Sequence, residues 1–153
     1  MITELERYHG VVLRQLLTQA GRTLSLGVAE TNGRVDSYVV EGVGVHVKHS
    51  SKRLSPWQFT YLPENIVELH DLRRRYGSVW IMLVCGVDGV VCLSLAELEA
   101  VLQTTGTGGA TIRVSRNRSA MYRVNSGSVS LSRAVARGVS SFVEALTNAE
   151  GRS

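Results

Sequence analysis

The spacing of hydrophobic positions along the chain changes repeatedly between helical periodicity and strand-like alternation. Helical spacing, bounded by capping boxes, proline or glycine, predicts helices over residues 4–20, 63–76, 95–102 and 132–146. Alternating or continuous apolar segments predict strands over residues 24–29, 35–40, 43–49, 79–85, 90–93, 111–115 and 120–124. The segment 50–62 has neither kind of spacing and is predicted to be an irregular loop.

The order of these elements predicts an α/β fold with a mixed sheet (α+β), in a single domain over residues 1–153. Turns at Asn32-Gly33 and Glu41-Gly42 join the first three predicted strands into an antiparallel meander. The apolar run 79–85 is predicted to be the most buried strand, because a strand covered on both faces is apolar throughout.

Cys85 and Cys92 flank a predicted turn at Asp88-Gly89. A two-residue turn there would place the two thiols opposite each other on neighbouring strands. We interpret them as free thiols of the core, with a cross-strand disulfide as the alternative.

The net charge of the chain bears on the kind of partner that it can bind. The 153 residues carry a formal net charge of +4, which favours a polyanionic partner only mildly. No apolar run approaches the roughly 18 residues that span a membrane, and the polar N-terminal segment has no signal-peptide pattern. The sequence therefore predicts a cytoplasmic protein without membrane association.

The basic residues are clustered. The two lysines of the chain, Lys48 and Lys52, lie with Arg53 at and after the end of the third predicted strand. Lys52 and Arg53 are candidates for contacts with nucleic-acid phosphates, and Trp57 is a candidate for stacking on an unpaired base. In the alternative interpretation, Trp57 and Phe59 pack into the core and fix the path of the loop. The arginines form two further clusters, at 73–75 and at 113, 116, 118 and 123.

Asp36 lies on the second predicted strand, and His46 and Lys48 lie on the third, in the run VHVKHS. With a helix before the meander and a helix and a strand after it, residues 4–94 resemble the core of the PD-(D/E)XK, or restriction-endonuclease-like, nuclease superfamily. The run VHVKHS is also similar to the third-strand motif of the Mrr-like branch. The resemblance implies an αβββαβ core, to which residues 110–153 add a C-terminal β-hairpin and a helix.

The resemblance also implies a nuclease that hydrolyses DNA phosphodiester bonds with Mg²⁺ or Mn²⁺ as cofactor. In the family, an Asp on the second strand and a Glu-x-Lys on the third bind the cation and activate water. Asp36 matches the Asp, Lys48 matches the Lys, and His46 takes the position of the Glu. An acid of the first helix can also contribute in the family, and Glu6 is the candidate here.

The proposed chemistry needs these residue types. A cation held by oxygen ligands neutralises charge that develops on the phosphate and lowers the pKa of a bound water. Lys48 could orient or deprotonate that water, or place a positive charge on the scissile phosphate. His46 is a softer ligand than a carboxylate and favours Mn²⁺ over Mg²⁺.

The strand register bears on this interpretation. A two-residue turn at Glu41-Gly42 pairs Asp36 with Val47, on the face opposite His46 and Lys48. A β-bulge or an odd loop length would bring Asp36 to the same side. If the regular register holds, Glu30 is the next candidate carboxylate.

Two alternative functions stay open. The missing Glu also fits a nuclease-fold module that has lost catalysis and binds nucleic acid through the basic loop. The sheet and the last helix also fit an α/β protein-interaction module that forms a homodimer. A homodimer is compatible with the nuclease as well, because many enzymes of this fold cut two strands with two subunits.

Overall fold

The structure, a computed structural model, describes residues 1–102 and 110–150 of the chain. The helices in this part are α1 (Glu4–Ala20), α2 (Pro63–Tyr76), α3 (Leu95–Leu102) and α4 (Ser140–Glu150). The strands are β1 (Leu26–Thr31), β2 (Arg34–Val40), β3 (Val43–Ser50), β4 (Trp57–Tyr61), β5 (Val79–Cys85), β6 (Gly89–Ser94), β7 (Ala110–Ser115), β8 (Arg123–Ser126) and β9 (Val129–Ser130). None of these helices is long and apolar enough to cross a membrane. The fold is mixed α/β, as the sequence predicts.

The first sheet has the strand order β1-β2-β3-β5-β6, in which β3 and β5 run parallel and the other neighbours run antiparallel. Helices α1 and α4 cover one face and share a core with Met82 and Val84 of β5. Helices α2 and α3 cover the other face and pack with Ile81 and Leu83. Every residue of β5 except Trp80 is buried, as its continuous apolar run predicts.

The second sheet, with the strand order β4-β7-β8-β9, packs on the side of the first sheet that α2 and α3 cover. Strand β4 lies inside segment 50–62, so the prediction of an irregular loop throughout that segment is wrong. The alternate side chains Trp57, Phe59 and Tyr61 are buried, which is the periodicity of a half-buried strand. The predicted C-terminal hairpin, β7 and β8, therefore becomes part of a larger sheet through its pairing with β4.

The last helix begins at Ser140, so the prediction that it begins at residue 132 is wrong. Two isolated bridges hold the preceding segment in an extended form, one between Val135 and Tyr122 and one between Arg137 and Val91. Pairing with strand neighbours thus outweighs the local helical periodicity at these positions.

The turn between β5 and β6 also differs from the prediction. Cys85 pairs with Gly89 and Met82 pairs with Cys92, so the loop is one residue longer than a two-residue turn. Cys85 and Cys92 consequently point into the two different cores, and both are buried and free.

Candidate functional site

Asp36 lies in a β-bulge near the start of β2. Thr31 pairs with Arg34 next to the hairpin turn. Ala29 pairs with Ser37, so a single residue of β1 faces two residues of β2, and Asp36 is one of these two. A bulge re-aims the side chains at its position, and this bulge lies at the residue that the sequence analysis names as a candidate metal ligand.

The pairing of β2 with β3 has the regular register that the turn at Glu41-Gly42 predicts. Val40 lies opposite Val43 and Ser37 lies opposite His46. The pairing ends at Ser37, so Asp36 lies beyond the last pair with β3 as well as inside the bulge with β1. The carboxylate of Asp36 reaches His46 despite the regular register.

Ser37 connects the carboxylate of Asp36 to the imidazole of His46. Oδ1 of Asp36 lies 4.0 Å from Nδ1 of His46. The Ser37 hydroxyl donates to Oδ1 of Asp36 at 3.4 Å and lies 3.0 Å from Nδ1 of His46. Because Ser37 has one hydroxyl proton, both contacts are satisfied when Nδ1–H of His46 donates to Ser37, which leaves a lone pair on Nε2.

His46 is an uncharged, buried imidazole at neutral pH. Burial lowers its pKa to about 4, the carboxylate of Asp36 opposes the shift, and Lys48 reinforces it. Nε2 of His46 is buried and has no hydrogen-bond partner within the described residues. An imidazole with a free lone pair can accept a proton or bind a cation.

Lys48 is half-buried on the same side of β3 as His46, two residues further along the strand. Its Nζ lies 5.0 Å from the centroid of the Tyr61 ring, in cation–π geometry. Burial lowers the pKa of Lys48 from its usual value, and Asp36 opposes the shift. Arg34 lowers this pKa further, whereas Glu68 raises it, so both carboxylates interact with the Lys48 amine.

Glu68 of α2 is a member of this site that the sequence analysis missed. Its side chain is buried, and Oε2 has no hydrogen-bond partner within the described residues. Oε2 lies 3.9 Å from Nη2 of Arg34, the same nitrogen that lies 3.0 Å from Oδ2 of Asp36. Arg34 therefore stands between two carboxylates that come from different elements.

We call the following residues the Asp36 cluster: Arg34, Asp36, Ser37, His46, Lys48 and Glu68. Buried polar atoms without a hydrogen-bond partner are rare in folded proteins, and they often mark functional sites. Those within the described residues are Thr31 Oγ1, His46 Nε2, Tyr61 Oη and Glu68 Oε2. All four belong to the Asp36 cluster or to residues that pair with or contact its members.

The structure places Glu6 away from this cluster. The Glu6 carboxylate accepts hydrogen bonds from the backbone N–H and the hydroxyl of Thr3, at 3.2 and 2.9 Å, in the capping box of α1. No contact between the described residues links it to Asp36 or His46. The cap accounts for the position of the Glu6 carboxylate, whereas Glu68 is a carboxylate of α2 that lies within the Asp36 cluster.

Trp57 is also placed differently from the nucleic-acid role predicted for it. Its side chain is 2 % exposed, packs edge-on against Tyr122, and donates from Nε1 to the carbonyl of Lys52 at 2.8 Å. Stacking on a base requires an accessible ring face. The alternative interpretation, in which Trp57 fixes the loop, describes the geometry.

The Asp36 cluster offers few ligands for the Mg²⁺ or Mn²⁺ ion that the resemblance implies. Within the described residues, no three acidic, imidazole or thiol groups converge on one point. Mg²⁺ is commonly held by one or two carboxylates together with waters and substrate phosphate oxygens. Asp36 and Glu68 supply two such carboxylates, and the Arg34 guanidinium is a stand-in cation between them. The Arg34 side chain is 56 % exposed, so it has room to turn away from the two carboxylates.

The exposed residues Lys52 and Arg53 lie on the loop 51–56, which we call the Lys52 loop. The Gly86 N–H donates to the carbonyl of Ser50 at 2.8 Å, which ties the start of this loop to the β5–β6 turn. A Cβ atom at Gly86 would lie 2.2 Å from the carbonyl oxygen of Lys52, and φ at Gly86 is +53°. Only glycine therefore allows the close approach that holds the Lys52 loop in place.

Gly86→Ala is expected to destabilise the protein by about 1–3 kcal/mol, because it combines a strained backbone with a clash against a backbone oxygen. Urea unfolding measures the change. Gly127→Ala is the matched control, since Gly127 also has positive φ but has open space around its Cβ position. An equal loss of stability in the two variants would show that contact with the Lys52 loop adds nothing.

Neither a scan against protein-family models, nor a search of curated proteins, nor a search of solved structures gave a match for this chain.

Proposed function

We propose that the chain is a divalent-cation-dependent nuclease that hydrolyses DNA phosphodiester bonds at the Asp36 cluster. The observation that carries this proposal is the convergence of Asp36 and Glu68 on Arg34, beside the half-buried amine of Lys48. The meander β1-β2-β3 followed by the parallel contact of β3 with β5 supports the resemblance on which the assignment of Asp36 and Lys48 rests.

Asp36 and Glu68 are the residues that would hold Mg²⁺ or Mn²⁺. The cation supplies neutralisation of phosphate charge and a lowered pKa of a bound water. Arg34 then loses its bridging role, and its guanidinium is free to bind a phosphate of the DNA backbone. His46, neutral and hydrogen-bonded through Ser37, orients the Asp36 carboxylate from the other side.

Lys48 has the properties of a group that acts on the scissile phosphate or on the attacking water. Its amine is partly desolvated, which strengthens its interaction with a nearby phosphate oxygen. The same desolvation lowers its pKa, so a larger fraction of the amine is neutral and able to accept a proton from water at a given pH. Lys48 therefore serves as the electrostatic or proton-accepting group.

Lys52 and Arg53 extend the positive charge from the Asp36 cluster along the exposed loop that follows β3. Lysine and arginine contacts to backbone phosphates position a duplex without reading its sequence. We therefore assign these two residues to binding and not to the chemical step.

The double variant Lys52→Ala/Arg53→Ala is expected to bind DNA about tenfold more weakly near physiological salt. The slope of log K against log salt concentration should fall by about 2, since each lost phosphate contact removes about 0.9. Fluorescence anisotropy with a labelled duplex measures both values. Arg14→Ala/Arg73→Ala removes the same charge from exposed helix positions and is the control. Equal weakening in the two double variants would assign the effect to net charge and not to the loop.

A nucleic-acid-binding module without catalysis is the second candidate. It is favoured by Arg34, which already satisfies the charge of Asp36, and by the imidazole of His46 in the place of an acid. A cleavage assay on supercoiled, linear and single-stranded DNA with Mn²⁺ and Mg²⁺ separates the two. Metal-dependent cleavage supports the nuclease; salt-sensitive binding without any cleavage supports the module.

A further inference from the structure

The outer face of the second sheet is polar and basic. Alternation along the strands places Gln58 beside Arg113, and Arg113 beside Asn125. Thr60 pairs with Thr111, and Ser115 pairs with Arg123. We define the second-sheet face by these outward residues: Gln58, Thr60, Thr111, Arg113, Ser115, Arg123 and Asn125. The opposite sides of β4, β7 and β8 are buried and apolar, so this face is the one that the sheet presents to solvent.

The second-sheet face differs from an ordinary solvated surface in its charge. Solvated surfaces usually mix both signs of charge, whereas no carboxylate belongs to this face. Neither Arg113 nor Arg123 forms an ion pair within the described part of the chain. Arg116, which follows β7, is already neutralised, because its guanidinium donates two hydrogen bonds to Asp88, at 2.8 and 2.6 Å. Two free arginines therefore share the face with hydroxyl and amide groups alone.

The face is concave enough to receive a ligand. A shallow cavity of about 500 Å³ is lined by Gln58, Thr111, Arg113, Ser115, Asn125 and Gly127. Arginine, hydroxyl and amide groups are those that bind phosphate and sugar oxygens of nucleic acids. The face carries no aromatic side chain, so base stacking does not contribute there.

The second-sheet face adjoins the Lys52 loop. The backbone N–H of Arg116 donates to the hydroxyl of Ser55 in the loop at 3.1 Å. Trp57, the first residue of β4 after the loop, pairs with Val114, which is next to the outward residue Ser115. The end of β7 therefore lies next to the Lys52 loop.

We propose that the second-sheet face is a second nucleic-acid-binding surface. It holds the sugar–phosphate backbone of a DNA duplex at a distance from the phosphodiester bond that is cleaved at the Asp36 cluster. The class of ligand rests on the proposed function. Arg113 and Arg123 lie on adjacent strands in diagonal positions, roughly 7–8 Å apart at the backbone. Two guanidinium groups at that spacing can each contact a phosphate of the same DNA strand. The contact is independent of base sequence, because phosphates carry no sequence information.

The test compares Arg113→Gln/Arg123→Gln with Arg113→Lys/Arg123→Lys and the unchanged protein, in fluorescence anisotropy with a labelled duplex of about 30 base pairs. The measurements are made in EDTA over a range of salt concentrations. The Gln variant is expected to bind about tenfold more weakly, with a salt slope reduced by about 2, whereas the Lys variant keeps most of the affinity. Thermal unfolding of all three proteins checks that the exposed substitutions leave the fold intact.

Three results would overturn the inference, and they can be told apart. Binding with unchanged affinity and slope in the Gln variant excludes the face and leaves the proposed function standing. An unchanged protein that neither binds nor cleaves DNA removes the proposed function and the inference together. Arginine-dependent binding to anionic phosphatidylserine vesicles, without binding to DNA, would assign the face to a membrane surface instead.

Discussion

Lys48→Ala is expected to slow metal-dependent DNA cleavage about 10²–10³-fold, while DNA affinity falls only slightly. The loss is large because the Lys48 amine is partly desolvated beside Asp36 and Glu68, where one oriented charge contributes far more than in water. We expect the affinity to change little because the phosphate contacts that we propose for Lys52 and Arg53 are unaffected by this substitution. Single-turnover cleavage on a labelled duplex measures the chemical step separately from binding.

Lys48→Arg and Lys52→Ala are the matched comparisons for Lys48→Ala. Arginine keeps the positive charge but does not give up its proton, so recovery of activity in Lys48→Arg identifies an electrostatic role. Failure of Lys48→Arg to recover activity identifies a proton-accepting role. Lys52→Ala should weaken binding and leave the single-turnover rate near that of the unchanged protein. A Lys48→Ala variant that cleaves at the rate of the unchanged protein would show that Lys48 has no role in the reaction. The resemblance to the nuclease superfamily would then lose its main supporting residue.

Local signals in the sequence were sufficient for much of the fold. The capping boxes at Thr3 and Ser94 begin α1 and α3 where they were expected, because side-chain caps act within a few residues. Both hairpin turns of the meander were also recognised, since Asn32-Gly33 and Glu41-Gly42 adopt the positive φ values that such turns need. The second sheet was not predicted, because it depends on pairing between β4 and β7 across a long stretch of sequence.

The site was predictable to a lesser degree. Lys48 and His46 share a side of β3, which strand alternation alone indicates. The approach of the Asp36 carboxylate to His46 depends on the β-bulge between β1 and β2. Strand alternation does not indicate this bulge, because it is a shift of register between Ala29 and Thr31. Helical spacing also indicates Glu68, because Asn65, Glu68 and Leu72 fall on the buried side of α2. A carboxylate at an inward helix position is unusual enough to be taken as a candidate.

Glu68→Leu is expected to slow cleavage strongly while leaving the protein as stable as before or more stable. Oε2 of Glu68 is buried without a hydrogen bond, and such an atom costs about 1–3 kcal/mol. Its nearest cation, Arg34, is 3.9 Å away and more than half exposed, so the ion pair recovers little of that cost. Leucine has a similar size and places no polar atom at this buried position. Urea unfolding should therefore show an unfolding free energy that is unchanged or raised by about 1 kcal/mol.

The same substitution removes one of the two carboxylates that we assign to the cation. We expect the single-turnover cleavage rate to fall about 10²-fold or more. We also expect Mn²⁺ to raise the thermal stability of the unchanged protein and not that of the variant. Glu64→Leu, at an exposed position one turn earlier on α2, is the control and should change neither property. A variant that is both fully active and clearly less stable would make Glu68 a structural partner of Arg34. Loss of activity together with undiminished stability is the signature of a residue that folding tolerates and the reaction requires.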